Sequence, residues 1–235
     1  MSIEKIQRKT LRQEVYEQIR ETIITGELFP GEPISLRTLA KKFDVSQMPV
    51  REALWQLEAE DIIVIDSNKS MRVNNLTFKE FEEITSLRIT LETLLCEKAC
   101  DLQSSEDIAD LERIIAEMNN AVNEPRRYLH TNKQLHFRIY EISDMPVHIH
   151  IVDGLWARVG PYFNIELLGV EQFRVVSYGD HLKMYEALMK KDKSKMKKAL
   201  ENDIQTAAER IRRFLINPEL IKACMKSYLE KRPSI

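Results

Sequence analysis

The chain of 235 residues carries 35 Lys+Arg against 37 Asp+Glu, a net charge of −2, and is 43% hydrophobic and 31% charged with only 6 glycines. That balance excludes a disordered or low-complexity chain and suits a largely helical globular protein, long enough for two unequal domains. No apolar run approaches the ~18 residues of a membrane span and the opening MSIEKIQRKT lacks an apolar signal-peptide core, so no membrane partner and a cytoplasmic location are expected.

The net charge gives no sign of a nucleic-acid partner. Residues 1–75 hold 11 Lys+Arg against 12 Asp+Glu and the remainder 24 against 25, so any case for DNA must rest on where charges are placed. The three cysteines, Cys96, Cys100 and Cys224, lack paired metal-ligand spacing and read as reduced structural thiols.

In chain order, LRQEVYEQIRETIITG repeats apolar residues at Leu11, Val15, Ile19 and Ile23, a helical stripe with Gly26 as its C-terminal cap. FPGEP is a turn, after which Ser35 caps a short helix with Leu36, Leu39, Ala40 and Phe43 inward. Asp44 and Val45 make a tight connection to Ser46, the cap of a third helix that tolerates Pro49 in its first turn. Its buried stripe is Val50, Ala53, Leu54 and Leu57, which leaves Gln47, Met48 and Arg51 outside. Ile62–Ile65 reads as a strand, Asp66–Ser70 as a polar turn and Met71–Val73 as the returning strand. Three helices and a β-hairpin make a winged helix-turn-helix over residues 1–75.

From Thr77 onward only helical patterns occur, separated by breakers. One long helix covers Thr77–Gln103, and a second starts at Ser104 or Ser105 and runs to about Glu124-Pro125. A third spans roughly Arg126–Ser143, and a fourth continues to Gly169. Segments after Gly169, Asp192 and Asn217-Pro218 complete an antiparallel bundle over residues 76–235. The fold class is mainly α: an N-terminal winged helix-turn-helix followed by an all-α antiparallel helical bundle.

In a helix-turn-helix the second helix of the pair enters the major groove. Gln47, Met48 and Arg51 are then the candidates for base edges, because Arg can bridge guanine O6/N7 and Gln can pair adenine N6/N7. Arg37, Lys41 and Lys42 on the preceding helix are placed for phosphates, Ser46 at the turn joins the DNA-facing set, and Lys69 and Arg72 in the hairpin can reach the adjacent groove or phosphates. Solvated surface charge is the alternative for any single residue, but the order of elements is far more specific than any member. The run KKDKSKMKK at 190–198 reads as a solvated helical face capped by Asp192.

The stretch 14–73, with ITGELFPGEPIS, LRTLAKKFDVS and PVREALWQLEAED, resembles the DNA-binding domain of the GntR family of bacterial transcription regulators. The helical remainder, with LRITLE at 87–92, resembles the effector domain of the FadR-like subfamily, termed FCD. The resemblance implies a homodimer on a palindromic operator in double-stranded DNA, with half-sites about one turn, ~34 Å, apart, and a small-molecule effector. It transfers DNA contacts to Arg37 and Arg51, whereas Gln47 replaces the family's usual Arg. Asp61 and Ser70 replace its usual glycines around the wing.

Asn132 and His136 lie four apart on one helical face and can share an ion. The resemblance aligns Asn132, His136, His181 and Asp203 with a divalent-metal set of one Asp and three His, so Asn and Asp stand where the family has Asp and His. Two imidazoles and a carboxylate still suit one Zn, Ni, Mn or Fe ion. Core or surface roles remain the alternative for each histidine, and His130, His148 and His150 are left out of the set. Arg88 is the candidate partner for an anionic, carboxylate effector, against a simple ion pair with Glu92 four residues on. Arg158 and Tyr162 are weaker candidates, and Met118, Met145, Met184, Met189 and Met196 read as adaptable core or pocket lining. A metal-dependent enzyme using His136, His181 and Asp203 is the rival function, and a helical protein-interaction module a third.

Overall fold

The computed structural model of the protein describes residues 9–25, 28–67, 70–169, 173–217, 219–221, 223 and 226, with 164–169 and 173–177 described by backbone only. Gly26, Lys69 and Cys224, and most of the segment after Asn217-Pro218, lie outside the described residues. The fold is mainly α, a winged helix-turn-helix followed by a helical bundle.

Helix α1 spans Leu11–Ile24 and starts where the Thr10 hydroxyl accepts the Gln13 N–H. Its Val15, Ile19 and Ile23 pack against Val50, Ala53, Leu54 and Leu57 of α3, Gln47–Ala59, all of them buried. Leu11 departs from the expected stripe: at the first helical position it falls outside this cluster and is 51% exposed. Between them α2, Leu36–Phe43, is capped by Ser35 and ends at Asp44, whose φ of 54° makes the sharp turn toward α3. Only Ala40 of α2 is fully buried, with Leu36, Leu39 and Phe43 half-buried against the same cluster. Ser46 occupies the N-cap of α3, but its side chain makes no capping hydrogen bond.

The wing has one strand more than the sequence suggests. β2, Ile63–Ile65, and β3, Met71–Val73, pair antiparallel as anticipated, while β1, Pro33–Ile34, adds to the other edge of β3 in the order β1-β3-β2. The expected FPGEP turn is real: Gly31 sits at φ 77° and its N–H bonds to the Val73 carbonyl. It delivers Pro33 to an edge position, where a missing N–H costs no ladder bond, and a two-residue strand leaves no periodicity to read. Asp61, where the resemblance has glycine, holds φ 58° and keeps the same left-handed turn into β2.

The bundle consists of α4 (Phe78–Leu102), α5 (Ser105–Asn120), α6 (Pro125–Ile142), α7 (Pro146–Gly169), α8 (Phe173–Met189) and α9 (Lys193–Ile216). Capping boxes Thr77/Glu80 and Ser104/Asp107 fix the starts of α4 and α5, and Pro125 opens α6. α5 stops at Asn120, short of the anticipated Glu124, in turns stabilised by Ala121 and Glu124 N–H bonds to preceding carbonyls. The core runs through Leu95, Leu111, Met118, Leu135, Ile139, Met184 and Leu200, whereas Met189 is 44% exposed.

The N-terminal unit docks on the bundle through α1 and α7. Arg20 pairs with Asp153 at 2.7 Å, Glu21 with Lys133 of α6 at 3.2 Å, and the Leu76 N–H donates to the Tyr162 hydroxyl at 2.7 Å. Gly160 allows the approach: a Cβ there would lie 2.8 Å from Ile24 Cα and 2.9 Å from its carbonyl oxygen. Both are backbone atoms that cannot swing aside. Gly160→Ala is therefore expected to destabilise the protein by about 1–3 kcal/mol through overpacking, measured as a lower urea midpoint; an unchanged midpoint would refute this close α1–α7 seat.

Candidate nucleic-acid face and buried His-His-Asp centre

The outer face of α3 follows from its buried one. With Val50, Ala53, Leu54 and Leu57 inward, Gln47, Met48, Arg51 and Trp55 are exposed, and Arg37 and Lys41 stand exposed on α2 beside them. Met48 is 59% and Trp55 55% exposed; seven residues, two helical turns or ~10.5 Å, separate them on one line opposite the core. Trp55 was not among the residues selected from the sequence, although its spacing from Met48 and its place outside the buried stripe mark it. Arg72 is half-buried and pairs with Asp66 across the hairpin at 3.2 Å.

The second cluster lies inside the bundle. His136 of α6 and His181 of α8 are fully buried and Asp203 of α9 is mostly so. The His136 Nε2 and His181 Nε2 atoms are 3.1 Å apart, and each lies 3.4 Å from an Asp203 carboxylate oxygen. Burial alone would raise the Asp203 pKa, but the charge of His181, the hydrogen bond and charge of His136, and Arg88 together hold it down to about 2. One turn before His136 on the same helical face, the buried Oδ1 of Asn132 has no hydrogen-bond partner.

A fixed proton arrangement orients His136. The Glu92 carboxylate, fully buried, can only accept, so the Tyr140 hydroxyl 2.5 Å away gives its proton to Glu92. Burial, then the Glu92 charge, pushes the Tyr140 pKa well above its usual value, so that proton stays. The same hydroxyl must accept from His136 Nδ1–H at 2.9 Å, which turns Nε2 toward His181 and Asp203. Glu92 also accepts from Arg88 Nε at 2.6 Å and Trp156 Nε1 at 3.0 Å.

The residues fit a divalent ion in spacing and in chemistry. Two donors each ~2.1 Å from one ion lie roughly 3.0–3.4 Å apart at right to tetrahedral angles, the separations found here. The buried Asn132 amide oxygen has no hydrogen-bond partner without such an ion, and His136 Nε2 is turned toward both a second imidazole and a carboxylate.

The remaining candidates resolve differently. Arg88 makes the i,i+4 ion pair with Glu92, its guanidinium 4.7 Å over the Trp156 ring, while its charge still acts on Asp203. Tyr162 is buried among Phe29, Leu76, Phe81 and Ile211 with its hydroxyl accepting the Leu76 N–H, and Arg158 approaches Glu80 at 3.6 Å. His130 is exposed against Glu21, and His148 and His150 lie at the boundary and surface. Lys193 and Lys195 pair with Asp101 and Asp192, as a solvated face would. Burial raises the Cys96 thiol well above its usual pKa and Cys100 to about 11, so both stay inert thiols. An open cleft of ≈ 980 Å³ between α1 and α5–α7 has walls of alternating acids and bases and does not include the buried centre.

Set beside known proteins, residues 83–206 match the FCD domain and residues 11–73 the family described as bacterial regulatory proteins, gntR family. The HTH-type transcriptional regulator McbR of Escherichia coli is 24% identical over 82% of this chain and 87% of its own length. The HTH-type transcriptional repressor RspR of Escherichia coli is 21% identical over 87% of this chain and 90% of its own. The uncharacterized HTH-type regulator YdhC of Bacillus subtilis is 32% identical over 54% of this chain and 58% of its own. The solved structure of E. coli McbR/YncC superimposes with a TM-score of 0.83 at 22% identity, covering 88% of this chain and 99% of that one. It establishes the shared fold.

Removing Glu92 strands the Arg88 guanidinium in the core. Glu92→Ala is expected to cost about 3–5 kcal/mol, and the double variant Arg88→Met, Glu92→Leu to recover only the share due to the stranded charge, since Tyr140 and Trp156 still lose their acceptor. Urea denaturation of both variants checks this; equal losses in both would show that the pair is not a buried charge problem.

Proposed function

The chain belongs to the GntR family of bacterial regulatory proteins with an FCD domain, and from that membership we propose a cytoplasmic homodimer in which residues 1–75 read a palindromic operator and residues 76–235 sense a small anionic effector. It is a DNA-binding transcriptional regulator; the matched families and relatives are regulators, so the metal-dependent enzyme reading is dropped.

The observation that carries the DNA reading is the exposure of Gln47, Met48 and Arg51 on the face of α3 opposite its core stripe. On this reading Arg51 and Gln47 meet base edges, and Met48 and Trp55 offer apolar surface to thymine methyls or the sugar edge. Arg37, Lys41, Ser46 and Arg72 meet phosphates, with Lys69 in the hairpin assigned the same role.

The effector reading rests on the orphaned Asn132 Oδ1 beside the His-His-Asp cluster. Asn132, His136, His181 and Asp203 would hold one divalent ion, which supplies a Lewis-acidic anchor for a carboxylate. Arg88, held by Glu92 and facing Asp203, adds positive potential at the same place. The coupling runs through two helices that serve both units: α6 carries His136 inward and Lys133 toward Glu21, and α7 carries Trp156 inward and Gly160 against Ile24. An effector changes operator affinity only if it binds the DNA-competent arrangement of these contacts unequally.

Two measurements test the reading. Arg51→Ala is expected to weaken operator binding by about 1–3 kcal/mol and to relax base preference, followed by fluorescence anisotropy against specific and scrambled duplexes across a salt series. Equal loss on both duplexes would assign Arg51 to phosphate. Isothermal titration of the metal-stripped protein should give one divalent-ion site, weakened about 10–100-fold in Tyr140→Phe, because that hydroxyl orients His136. Wild-type protein that takes up no ion would overturn the metal.

A further inference from the structure

α4 buries one face against α6, α7, α8 and α9 and leaves the other without a neighbour among the described residues. A globular surface helix is ordinarily charged there. On α4 the outward face instead carries Leu87, 51% exposed, Leu94, 44% exposed, and half-buried Leu91 between them. Their steps of four and three residues, continued by four more to Lys98, are those of a coiled-coil seam.

The order of residues along this seam is its own complement. Residues 83, 87, 90, 91, 94 and 98 are symmetric about the midpoint between Thr90 and Leu91. Laying a second α4 antiparallel across that midpoint brings each Leu87 to the other copy's Leu94 and each Thr90 to its Leu91. Each Glu83 meets the other copy's Lys98. Both Glu83, with a side chain 63% exposed, and Lys98 lie at the surface, so the seam has apolar residues at its middle and opposite charges at both ends.

We propose that this face of α4 is the two-fold interface of the homodimer, two antiparallel α4 helices crossing at the shallow angle, ~20°, that a three-four spacing favours. The proposal rests on the dimeric reading given above and adds its surface and register. Self-complementarity of one patch is what a two-fold contact requires. An unrelated protein partner would have no reason to find Glu83 and Lys98 equidistant from a common centre. The seam also places the axis on the helix that carries Arg88 and Glu92 on its inner side, so the effector centre of each copy lies directly behind the interface.

The register is tested on the full-length protein by sedimentation equilibrium. Glu83→Lys and Lys98→Glu should each weaken dimerisation by roughly tenfold, since each places two like-charge pairs in the interface, and combining them should restore it. Both positions are exposed, so loss of folding does not enter. In parallel, Leu87→Cys with Leu94→Cys should form an intermolecular disulfide on mild oxidation, while either substitution alone, like the wild type, should not. A wild-type dimer that ignores both charge reversals and yields no cross-link would overturn the α4 interface while leaving the dimer intact. A wild-type chain that stays monomeric at every concentration would overturn the dimeric reading itself.

Discussion

One buried carboxylate organises the helical bundle. Glu92 has no exposure, and a charge in that position is tolerable only when its lone pairs are filled by donors. They come from three directions: Arg88 on its own helix, Tyr140 on α6 and Trp156 on α7. The requirement to satisfy Glu92 therefore pins α4, α6 and α7 to one another more specifically than apolar packing does, because methylenes can slide and hydrogen bonds cannot. The same requirement puts a proton on His136 Nδ1, since the Tyr140 proton is already committed to Glu92. A charge placed for architecture thus sets the chemistry of a neighbouring imidazole.

The helices fixed by Glu92 are also those that touch the DNA-reading unit. α6 presents Leu135 and His136 inward and Lys133 toward Glu21, while α7 presents Trp156 inward and Asp153 and Gly160 toward α1. On such a helix a change of packing at one face shifts the other by a comparable amount, because the backbone between them is a single hydrogen-bonded rod. The Gly160 contact has almost no slack, so α1 must follow α7 or separate from it. That is the discrete alternative a regulator needs; a compliant, loosely packed joint would absorb the same displacement.

Much of this was legible in the sequence wherever the signal was local. Thr77 and Ser104, each followed three residues later by an acid, announced the starts of α4 and α5, and the stripe Val50, Ala53, Leu54, Leu57 announced the outer face of α3. The four-residue spacing of Asn132 and His136 was equally local, and resemblance supplied His181 and Asp203. What could not be read were the partners: nothing near Glu92 announces Tyr140, 48 residues away, or Trp156, 64 away, as its donors. β1 was invisible because two residues carry no period. Leu11 was misread because periodicity cannot say where a partner helix ends.

Part of the even charge of residues 1–75 becomes intelligible once four of its acids are followed to their contacts. Glu60 accepts from Tyr16 and faces Arg20, Glu32 accepts the Phe29 N–H, Glu21 is held by Lys133, and Glu17 by Lys9. These acids serve turns and joints around α1 and behind α3. Arg37, Lys41, Lys42 and Arg51 stand together on the exposed side of α2 and α3. Two exposed charges ~10 Å or more apart are largely screened at physiological salt, so a phosphate arriving at α2 and α3 responds to the bases there and scarcely to acids across the domain. On the proposed reading, a unit with no net positive charge still offers four exposed bases to DNA at α2 and α3, and its modest total would keep non-specific attraction low. Discrimination, on that same reading, then falls to the exposed face of α3, where Gln47, Met48 and Trp55 stand outside the buried stripe.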